Sequence, residues 1–167
     1  MELIRSIHLL NTAVADELQA VHQYMYFHFH LDDQGFKPLA HLFKKIAIQE
    51  MGHVEALAER ILFLKGDVEM TPAGPVEKLA DAEAILLKAM AMEQGSAEAY
   101  NRAALECGAN LDSATKHLFE QLVRDEESHF DQYEKQHENV KRFGLSYLAL
   151  QSFGGEEPRA VAASAGD

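Results

Sequence analysis

Apolar residues in the N-terminal part of the chain recur at steps of three and four positions, the spacing of a buried stripe on an α-helix. The stripe comprises Leu3, Ile7, Leu10, Val14, Leu18 and Val21. Neither Pro nor Gly occurs before Gly35, so the pattern predicts one uninterrupted helix from about Leu3 to Asp33. At 1.5 Å per residue this helix is roughly 45 Å long.

Helix-start and helix-stop residues predict three further long helices and a short one. Pro38 lies in the first turn of the second helix, where its missing N–H costs nothing, and Gly66 is the expected C-cap. Asp81 and Asp112 are the expected N-caps of the third and fourth helices. We interpret Gly95, inside the third helix, as a point of close packing. The predicted bounds are roughly 38–65, 81–108, 112–143 and 145–152.

The one long connection lies between the second and third helices and contains Pro72, Gly74 and Pro75. Such a connection lets the third helix run parallel to the second. We therefore predict an all-α four-helix bundle with one long crossover and a short C-terminal fifth helix. Residues 1–153 form a single predicted domain, and the Gly-, Ala- and Glu-rich tail, residues 154–167, is expected to be mobile.

Composition limits the classes of function. The chain has 167 residues, of which 47% are hydrophobic, and a net charge of −12, so it can bury a sizeable core but lacks the basic face that nucleic acids require. Its single cysteine, Cys107, excludes an intramolecular disulfide and is interpreted as a buried apolar residue. No run approaches the roughly 18 apolar residues that span a membrane, and no signal peptide is recognisable. We expect a cytoplasmic protein without nucleic-acid or membrane partners.

The candidate chemistry lies in a repeated motif, Glu-x-x-His, which occurs at Glu50–His53 and again at Glu126–His129. Residues three apart lie on the same face of a helix, so a carboxylate and an imidazole placed in this way can bind one metal ion together. The same gap of 33 residues separates Glu17 from Glu50 and Glu93 from Glu126. This pattern predicts a two-metal carboxylate site at mid-bundle, with one Glu from each of two helices and one Glu-x-x-His from each of the others.

The repeat also includes Tyr24 and Tyr100, each seven residues after the lone Glu of its helix. We interpret them as hydrogen-bond donors that orient carboxylates, or alternatively as ordinary core tyrosines. Oxygen ligands with one imidazole per ion suit iron or manganese better than structural zinc. Two ferrous ions would balance the charge of four carboxylates. His22, His28 and His30 are interpreted as surface or interface residues rather than ligands.

The paired motif, its spacing and the chain length resemble those of the bacterioferritins from about residue 3 to residue 153. The resemblance implies a ferritin-like bundle, a homo-oligomeric shell of 24 subunits built from twofold dimers, and ferroxidase activity with storage of ferric mineral. It implies Fe²⁺ and O₂ or H₂O₂ as substrates, and a ferredoxin-type reductant as a candidate partner for iron release. Two iron ions per subunit would be bound terminally by Glu17 and His53 and by Glu93 and His129, with Glu50 and Glu126 as bridges.

The resemblance also implies haem b shared between two subunits, with Met51 of each as an axial ligand. Met51 is one residue beyond Glu50, a rotation of 100° that turns it away from the two-metal site. The alternative is that Met51 packs in a dimer interface. Lys45 and Gln49 occupy the positions at which some members carry a His and an Asp, which argues against an additional iron site there.

Two other functions remain open on the sequence alone. A di-iron oxidase or oxygenase that acts on another substrate without forming a shell would use the same six ligands. A haem-carrying electron-transfer subunit would not need them, and their complete retention argues against it. Solution mass and the rate of Fe²⁺ oxidation separate these alternatives from ferroxidase activity with storage.

Overall fold

Five α-helices follow one another in the structure, a computed structural model that describes residues 3–154. They are α1 (Leu3–Asp33), α2 (Lys37–Phe63), α3 (Ala82–Ala109), α4 (Ser113–Phe143) and α5 (Ser146–Gly154). These bounds confirm the predicted all-α fold with a short fifth helix. The predicted mobile tail, apart from Gly154, lies outside the described residues, so the boundary between domain and tail stays a prediction.

In the bundle α1 packs chiefly against α2, and α3 packs chiefly against α4. Because only a short loop joins the two helices of each pair, each pair is antiparallel. Tyr24 of α1 hydrogen-bonds to Glu93 of α3, and Tyr100 of α3 hydrogen-bonds to Glu17 of α1. Residues later in α1 therefore contact residues earlier in α3, so these two helices are antiparallel as well. It follows that α2 and α3 are parallel, as the long crossover predicted. The short α5 packs against α2 and α4.

The crossover, residues 64–81, runs alongside α1 and is held there by side-chain amides. Asn11 donates to the Asp67 carbonyl at 2.9 Å and accepts from the Glu69 N–H at 2.9 Å. Gln23 donates to the Glu77 carbonyl at 2.9 Å and accepts from the N–H of the same residue at 2.8 Å. These amides bind backbone groups of the crossover on both the donor and the acceptor side, and so hold against α1 the segment that leads to the start of α3.

The predicted N-caps of α3 and α4 agree with the structure. The side chain of Asp81 accepts a hydrogen bond from the Ala84 N–H at 2.9 Å, and that of Asp112 accepts one from the Thr115 N–H at 3.1 Å. Both are N-cap interactions that satisfy N–H groups in the first turn. Gly144 follows α4 with a φ of +72°, a left-handed conformation that favours glycine.

Two predictions about glycines were wrong. The left-handed residue after α2 is Lys65, with a φ of +67°, rather than Gly66. Gly66 is needed instead for close packing, because a Cβ there would lie 2.7 Å from Cγ2 of Ile7. A Cβ on Gly95 would meet nothing within 4 Å, so close packing does not explain that glycine.

The core consists of two apolar clusters, one toward each end of the bundle. The first includes Phe27, Phe43 and Ile46, and the second includes Leu10 and Phe119. Cys107 is buried in the second cluster, as expected. Among residues 3–154, none of the helices is both long and apolar enough to cross a membrane.

Candidate metal centre

The four glutamates of the repeat lie where the two apolar clusters meet. On α1, Glu17 follows Val14 of the second cluster and precedes Ala20 of the first. The same change of cluster occurs around Glu50 on α2, Glu93 on α3 and Glu126 on α4. Because apolar packing fixes each helix on both sides of its glutamate, the four carboxylates converge at mid-bundle. Each helix contributes one carboxylate, and α2 and α4 also contribute one imidazole each.

These side chains form two overlapping groups of four. One group is Glu17, Glu50, His53 and Glu126, and the other is Glu50, Glu93, Glu126 and His129. In each group, one ligand atom per residue lies within 4.8 Å of every other. All six residues are buried, with His53 the most accessible at 8%. Glu50 and Glu126 belong to both groups, which is the arrangement that two cations bridged by two carboxylates require.

Both histidines direct Nδ1 toward the carboxylates. Nδ1 of His53 lies 2.8 Å from Oε2 of Glu50 and 3.3 Å from Oε1 of Glu17. Nδ1 of His129 lies 3.2 Å from Oε1 of Glu50 and 3.4 Å from Oε2 of Glu93. Each imidazole thus offers one nitrogen to the centre and turns its Nε2 away from it.

Several of these converging atoms are buried and make no hydrogen bond of acceptable geometry, although each lies 2.8 to 3.4 Å from an imidazole nitrogen or a carboxylate oxygen. They are Oε2 of Glu50, Nδ1 of His53, Oε2 of Glu93 and Oε1 of Glu126. A buried polar atom without a partner is costly, and four such atoms in one place indicate that a species missing from a protein-only network satisfies them. The donors are carboxylate oxygens and imidazole nitrogens, which suit ferrous or manganous ions. The residues therefore fit a pair of divalent cations.

The electrostatics of the centre favour the same interpretation. Burial and the Glu17 carboxylate raise the pKa of Glu50 well above its ordinary value, and the same two causes raise the pKa of Glu126 to about 11. Burial alone would lower the pKa of His53, but the carboxylates around it outweigh burial and raise it. The crowded carboxylates thus retain protons unless cations take their place.

Two tyrosines connect α1 and α3 through the lone glutamates. The buried hydroxyl of Tyr24 donates to Oε1 of Glu93, and that of Tyr100 donates to Oε1 of Glu17 at 2.7 Å. Each tyrosine therefore reaches the glutamate of the opposite helix, whereas the repeat had drawn attention to the glutamate of its own helix. The bond from Tyr24 leaves Oε2 of Glu93 to face Nδ1 of His129 at 3.4 Å. On Glu17, the Oε1 that accepts from Tyr100 also lies 3.3 Å from Nδ1 of His53.

Sequence reasoning missed two residues beside the centre. Oδ2 of Asp125 lies 3.2 Å from Nε2 of His53, the nitrogen that faces away from the carboxylates. Tyr133 is fully buried, and its ring stacks on Phe43 with centroids 4.7 Å apart. Asp125 immediately precedes the second Glu-x-x-His motif, and this position could have indicated a role beside the centre. An acidic residue on the solvent-exposed face of α4 would, however, give the same sequence pattern. Nothing in the spacing marks Tyr133.

Two clefts reach the centre from different sides of α4. A cleft of about 350 Å³ between α3 and α4 is lined by Glu93, Glu126, Glu127 and Phe130 among others. A cleft of about 270 Å³ between α2 and α4 is lined by Gln49, Gly52, His53, Asp125, Ser128 and His129. The first cleft thus borders two of the carboxylates, Glu93 and Glu126, and the second borders both imidazoles.

The other residues singled out in the sequence lie away from these ligand groups. Met51 is 57% exposed on α2, beside the similarly exposed Ile48. Lys45 is exposed. Among the three histidines of α1, His22 and His30 are exposed and His28 is half-buried, with Nδ1 lying 2.8 Å from the Ala40 carbonyl oxygen.

Comparison with known proteins identifies the family. The ferritin-like domain model matches residues 7–143. The bacterioferritin of Desulfovibrio desulfuricans is 38% identical over 143 residues, which cover 86% of this chain and 80% of that protein. The bacterioferritin of Rhodobacter capsulatus is 34% identical over 145 residues, which cover 86% of this chain and 89% of that protein.

Solved structures agree. The X-ray structure of the D. desulfuricans bacterioferritin, described with its di-iron site in different catalytic states, has a TM-score of 0.88 and 35% identity and covers 99% of this chain and 95% of its own. The R. capsulatus bacterioferritin, described with a metal-free dinuclear site and a haem iron, has a TM-score of 0.86 and 30% identity and covers 95% of this chain and 98% of its own. The chain belongs to the ferritin-like family and, within that family, to the bacterioferritins.

Proposed function

We propose that this chain is a ferroxidase that oxidises Fe²⁺ to Fe³⁺ at the centre between its four helices and stores the product as ferric mineral inside a shell. The observation that carries the proposal is the pair of overlapping four-residue groups that share Glu50 and Glu126. Two ferrous ions bring four positive charges, which match the four buried carboxylates. No charge then remains uncompensated at mid-bundle.

Six residues bind the two ions in this proposal. Glu17 and His53 are terminal ligands of one ion, and Glu93 and His129 are terminal ligands of the other. Glu50 and Glu126 bridge the two. The overlap of the two groups at these glutamates supports the bridging role, and the direction of both Nδ1 atoms supports the terminal role of the histidines.

The chain's own residues prepare the site for the reaction. Glu50 and Glu126 release protons when ferrous ions arrive, because the cations replace the protons as partners of these carboxylates. Tyr24 and Tyr100 hold the lone glutamates in place through their hydrogen bonds. The reaction balances with a two-electron oxidant: two Fe²⁺ give one electron each to H₂O₂, which with two protons yields two water molecules, or to O₂, which with two protons yields H₂O₂. A site for two ions matches that electron count.

We further propose that Met51 is an axial ligand of a haem b shared with Met51 of a second copy. Its exposed thioether, beside the similarly exposed Ile48, supports this role. Because one Met supplies only one axial ligand, Met51 of the second copy would supply the other. The haem, when bound, supplies an electron-transfer group. A ferredoxin-type protein is the proposed electron donor for iron release.

Assembly into a shell of 24 subunits is supported by apolar residues that the single chain leaves uncovered. On α5, Leu150 is 70% exposed and Phe153 is 83% exposed. Exposed apolar side chains at the end of a bundle indicate contacts with other subunits. A cytoplasmic location remains a prediction that cell fractionation can test.

The test is Fe²⁺ oxidation after anaerobic loading, followed by stopped-flow absorption on exposure to air or peroxide. We expect rapid oxidation by the wild-type protein and loss of the rapid phase in Glu50→Ala, which removes a bridge. Glu59→Ala, an exposed position on the same helix, is the matched control and is expected to behave as wild type. Equal rates in Glu50→Ala and wild type would refute the ferroxidase proposal.

Solution mass separates the remaining alternatives. A particle of shell size supports storage. A monomer or dimer with rapid Fe²⁺ oxidation would favour a di-iron oxidase that acts on another substrate.

A further inference from the structure

The two halves of the metal centre differ in the surroundings of their histidines. His53 and His129 are equivalent in the internal repeat and direct the same nitrogen, Nδ1, to the carboxylates. On the opposite side of the ring, Nε2 of His53 lies 3.2 Å from Oδ2 of Asp125. Within residues 3–154, no hydrogen-bond partner is found for Nε2 of His129. The two halves therefore differ at the outer ring nitrogen of the histidine and not in the identity of the candidate ligands.

The sequence explains the asymmetry. Asp125 immediately precedes Glu126, and the residue in the equivalent position of the first half, immediately before Glu50, is Gln49. Both Asp125 and Gln49 line the cleft between α2 and α4 together with the two histidines. His53 thus has a carboxylate beside its outer nitrogen. At the position equivalent to Asp125, the first half of the repeat carries the neutral amide of Gln49.

A carboxylate behind a histidine ligand changes the ligand in two ways. As acceptor for the Nε2–H, it fixes the neutral tautomer whose lone pair is on Nδ1, and it holds the ring at one angle. It also makes Nδ1 a stronger donor to a metal ion. Asp125 is itself held, because Oδ1 accepts from Nε2 of Gln121 at 3.2 Å. Loss of such outer partners weakens metal binding by about 10- to 100-fold.

We propose that Asp125 is a positioning residue for His53 and that it makes the two metal positions unequal, with the Glu17/His53 position binding a divalent cation more tightly than the Glu93/His129 position. This inference rests on the proposed two-metal centre. It implies that the first ion to bind occupies the Glu17/His53 position and that the second position is the one that loads and empties more readily.

The test is an anaerobic titration of the full-length, metal-free protein with Co²⁺, followed by visible absorption and by calorimetry. For the wild-type protein we expect two steps of one Co²⁺ per chain that differ by about 10- to 100-fold in affinity. In Asp125→Asn the tighter step weakens until the two steps merge, while the weaker step stays in place. Asp131→Asn, an exposed acid on the same helix, controls for the loss of one negative charge.

A selective effect distinguishes positioning from a general loss of structure, which would weaken both steps. The proposal would be overturned if Asp125→Asn bound Co²⁺ as the wild-type protein does, or if the substitution weakened both steps equally. The ligand variants give an independent test that does not depend on Asp125→Asn folding. His129→Ala should keep the tighter step, and His53→Ala should keep only the weaker one.

The proposed inequality would also be wrong if His129→Ala lost the tighter step while His53→Ala kept it, or if the wild-type protein bound both Co²⁺ ions with equal affinity. Two Co²⁺ bound with equal affinity would leave the two-metal centre intact. A wild-type protein that binds no Co²⁺ would instead refute the centre itself.

Discussion

The hydroxyl of Tyr100 on α3 donates a 2.7 Å hydrogen bond to Oε1 of Glu17 on α1. Both residues are buried, so water does not compete for the bond. The bond holds Oε1 of Glu17, the oxygen that also lies 3.3 Å from Nδ1 of His53. It therefore fixes the rotation of a carboxylate that would otherwise be free to turn about its terminal bond.

Replacement of Tyr100 by Phe is expected to weaken metal binding without unfolding the protein. The substitution removes only the hydroxyl and keeps the ring that packs against Phe119. By analogy with other partners of metal ligands, we expect affinity at the position that contains Glu17 to fall by about 10- to 100-fold. A Co²⁺ titration of the metal-free variant measures this change.

Tyr133→Phe is the matched control, because Tyr133 is equally buried and its hydroxyl has no hydrogen-bond partner among the described residues. It should bind Co²⁺ as the wild-type protein does. A similar loss in both variants would mean that the hydrogen bond to Glu17 is not the cause.

The start of α4 depends on Asp112, which is 2% exposed. Its carboxylate accepts from the Thr115 N–H at 3.1 Å and pairs with the Arg60 guanidinium at 2.7 Å. Asp112→Ala removes the N-cap and leaves Arg60 without its partner, so the free energy of unfolding should fall by about 2–4 kcal/mol. Urea denaturation at fixed protein concentration measures it. Asp81→Ala, an exposed N-cap without an arginine partner among residues 3–154, should cost only about 1 kcal/mol.

The contribution of the Asp112 charge should also depend on pH. Burial by itself would raise the pKa of Asp112, but hydrogen bonds from Thr115 and the Arg60 charge outweigh burial and lower the pKa below its ordinary value of 3.8. The unfolded chain therefore takes up the proton first as pH falls, and the stabilisation present above pH 3.8 is lost below it. Asp112→Asn should be less stable than wild type at pH 7, and the difference should shrink toward pH 3. A difference that does not change with pH would contradict a role for the charge.

The repeat predicted which carboxylates and imidazoles converge because its signal is local to each helix. Because Glu50 and His53 are three residues apart, they lie on one face of their helix regardless of how the other helices pack. Helix starts such as Asp81 and Asp112 were predictable for the same reason, since an N-cap bonds within its own first turn. The equal gap of 33 residues between the lone glutamate and the Glu-x-x-His motif in each half then indicated which faces of the different helices meet.

Contacts between distant segments were not predictable in this way. Asn11 and Gln23 hold the crossover, but their partners lie 54 to 58 residues away and are backbone groups. Asp125 reaches His53 over 72 residues. Such contacts depend on how each helix is rotated and displaced in the bundle, and a periodic apolar pattern determines that rotation only to within a broad stripe.

Gly66 gives a direct test of one such contact. A Cβ at this position would lie 2.7 Å from Cγ2 of Ile7 and 3.1 Å from Cγ2 of Ile61, and branched side chains cannot move these atoms by a change of terminal rotamer. Gly66→Ala should therefore lower the free energy of unfolding by about 1–3 kcal/mol. Thermal unfolding followed by circular dichroism measures the change at fixed protein concentration.

Gly95→Ala should have the opposite sign. A Cβ there meets nothing within 4 Å, and Ala is favoured over Gly inside a helix by about 1 kcal/mol. A destabilised Gly95→Ala would show that an assembly contact, absent from the single chain, requires the glycine.

Met51 separates haem binding from iron oxidation. Its side chain is 57% exposed on α2, whereas the adjacent Glu50 is buried among the proposed metal ligands. Replacement by Leu preserves the size and apolar character of the side chain but removes the sulfur, so haem should lose its axial ligand while the six ligands of the metal centre keep their positions. We expect wild-type protein mixed with haemin to show a Soret band at one haem per two chains, and Met51→Leu to lose the band but retain rapid Fe²⁺ oxidation. Wild-type protein without a Soret band would leave Met51 as a packing residue, and loss of both properties in Met51→Leu would show that this face of α2 supports the metal centre itself.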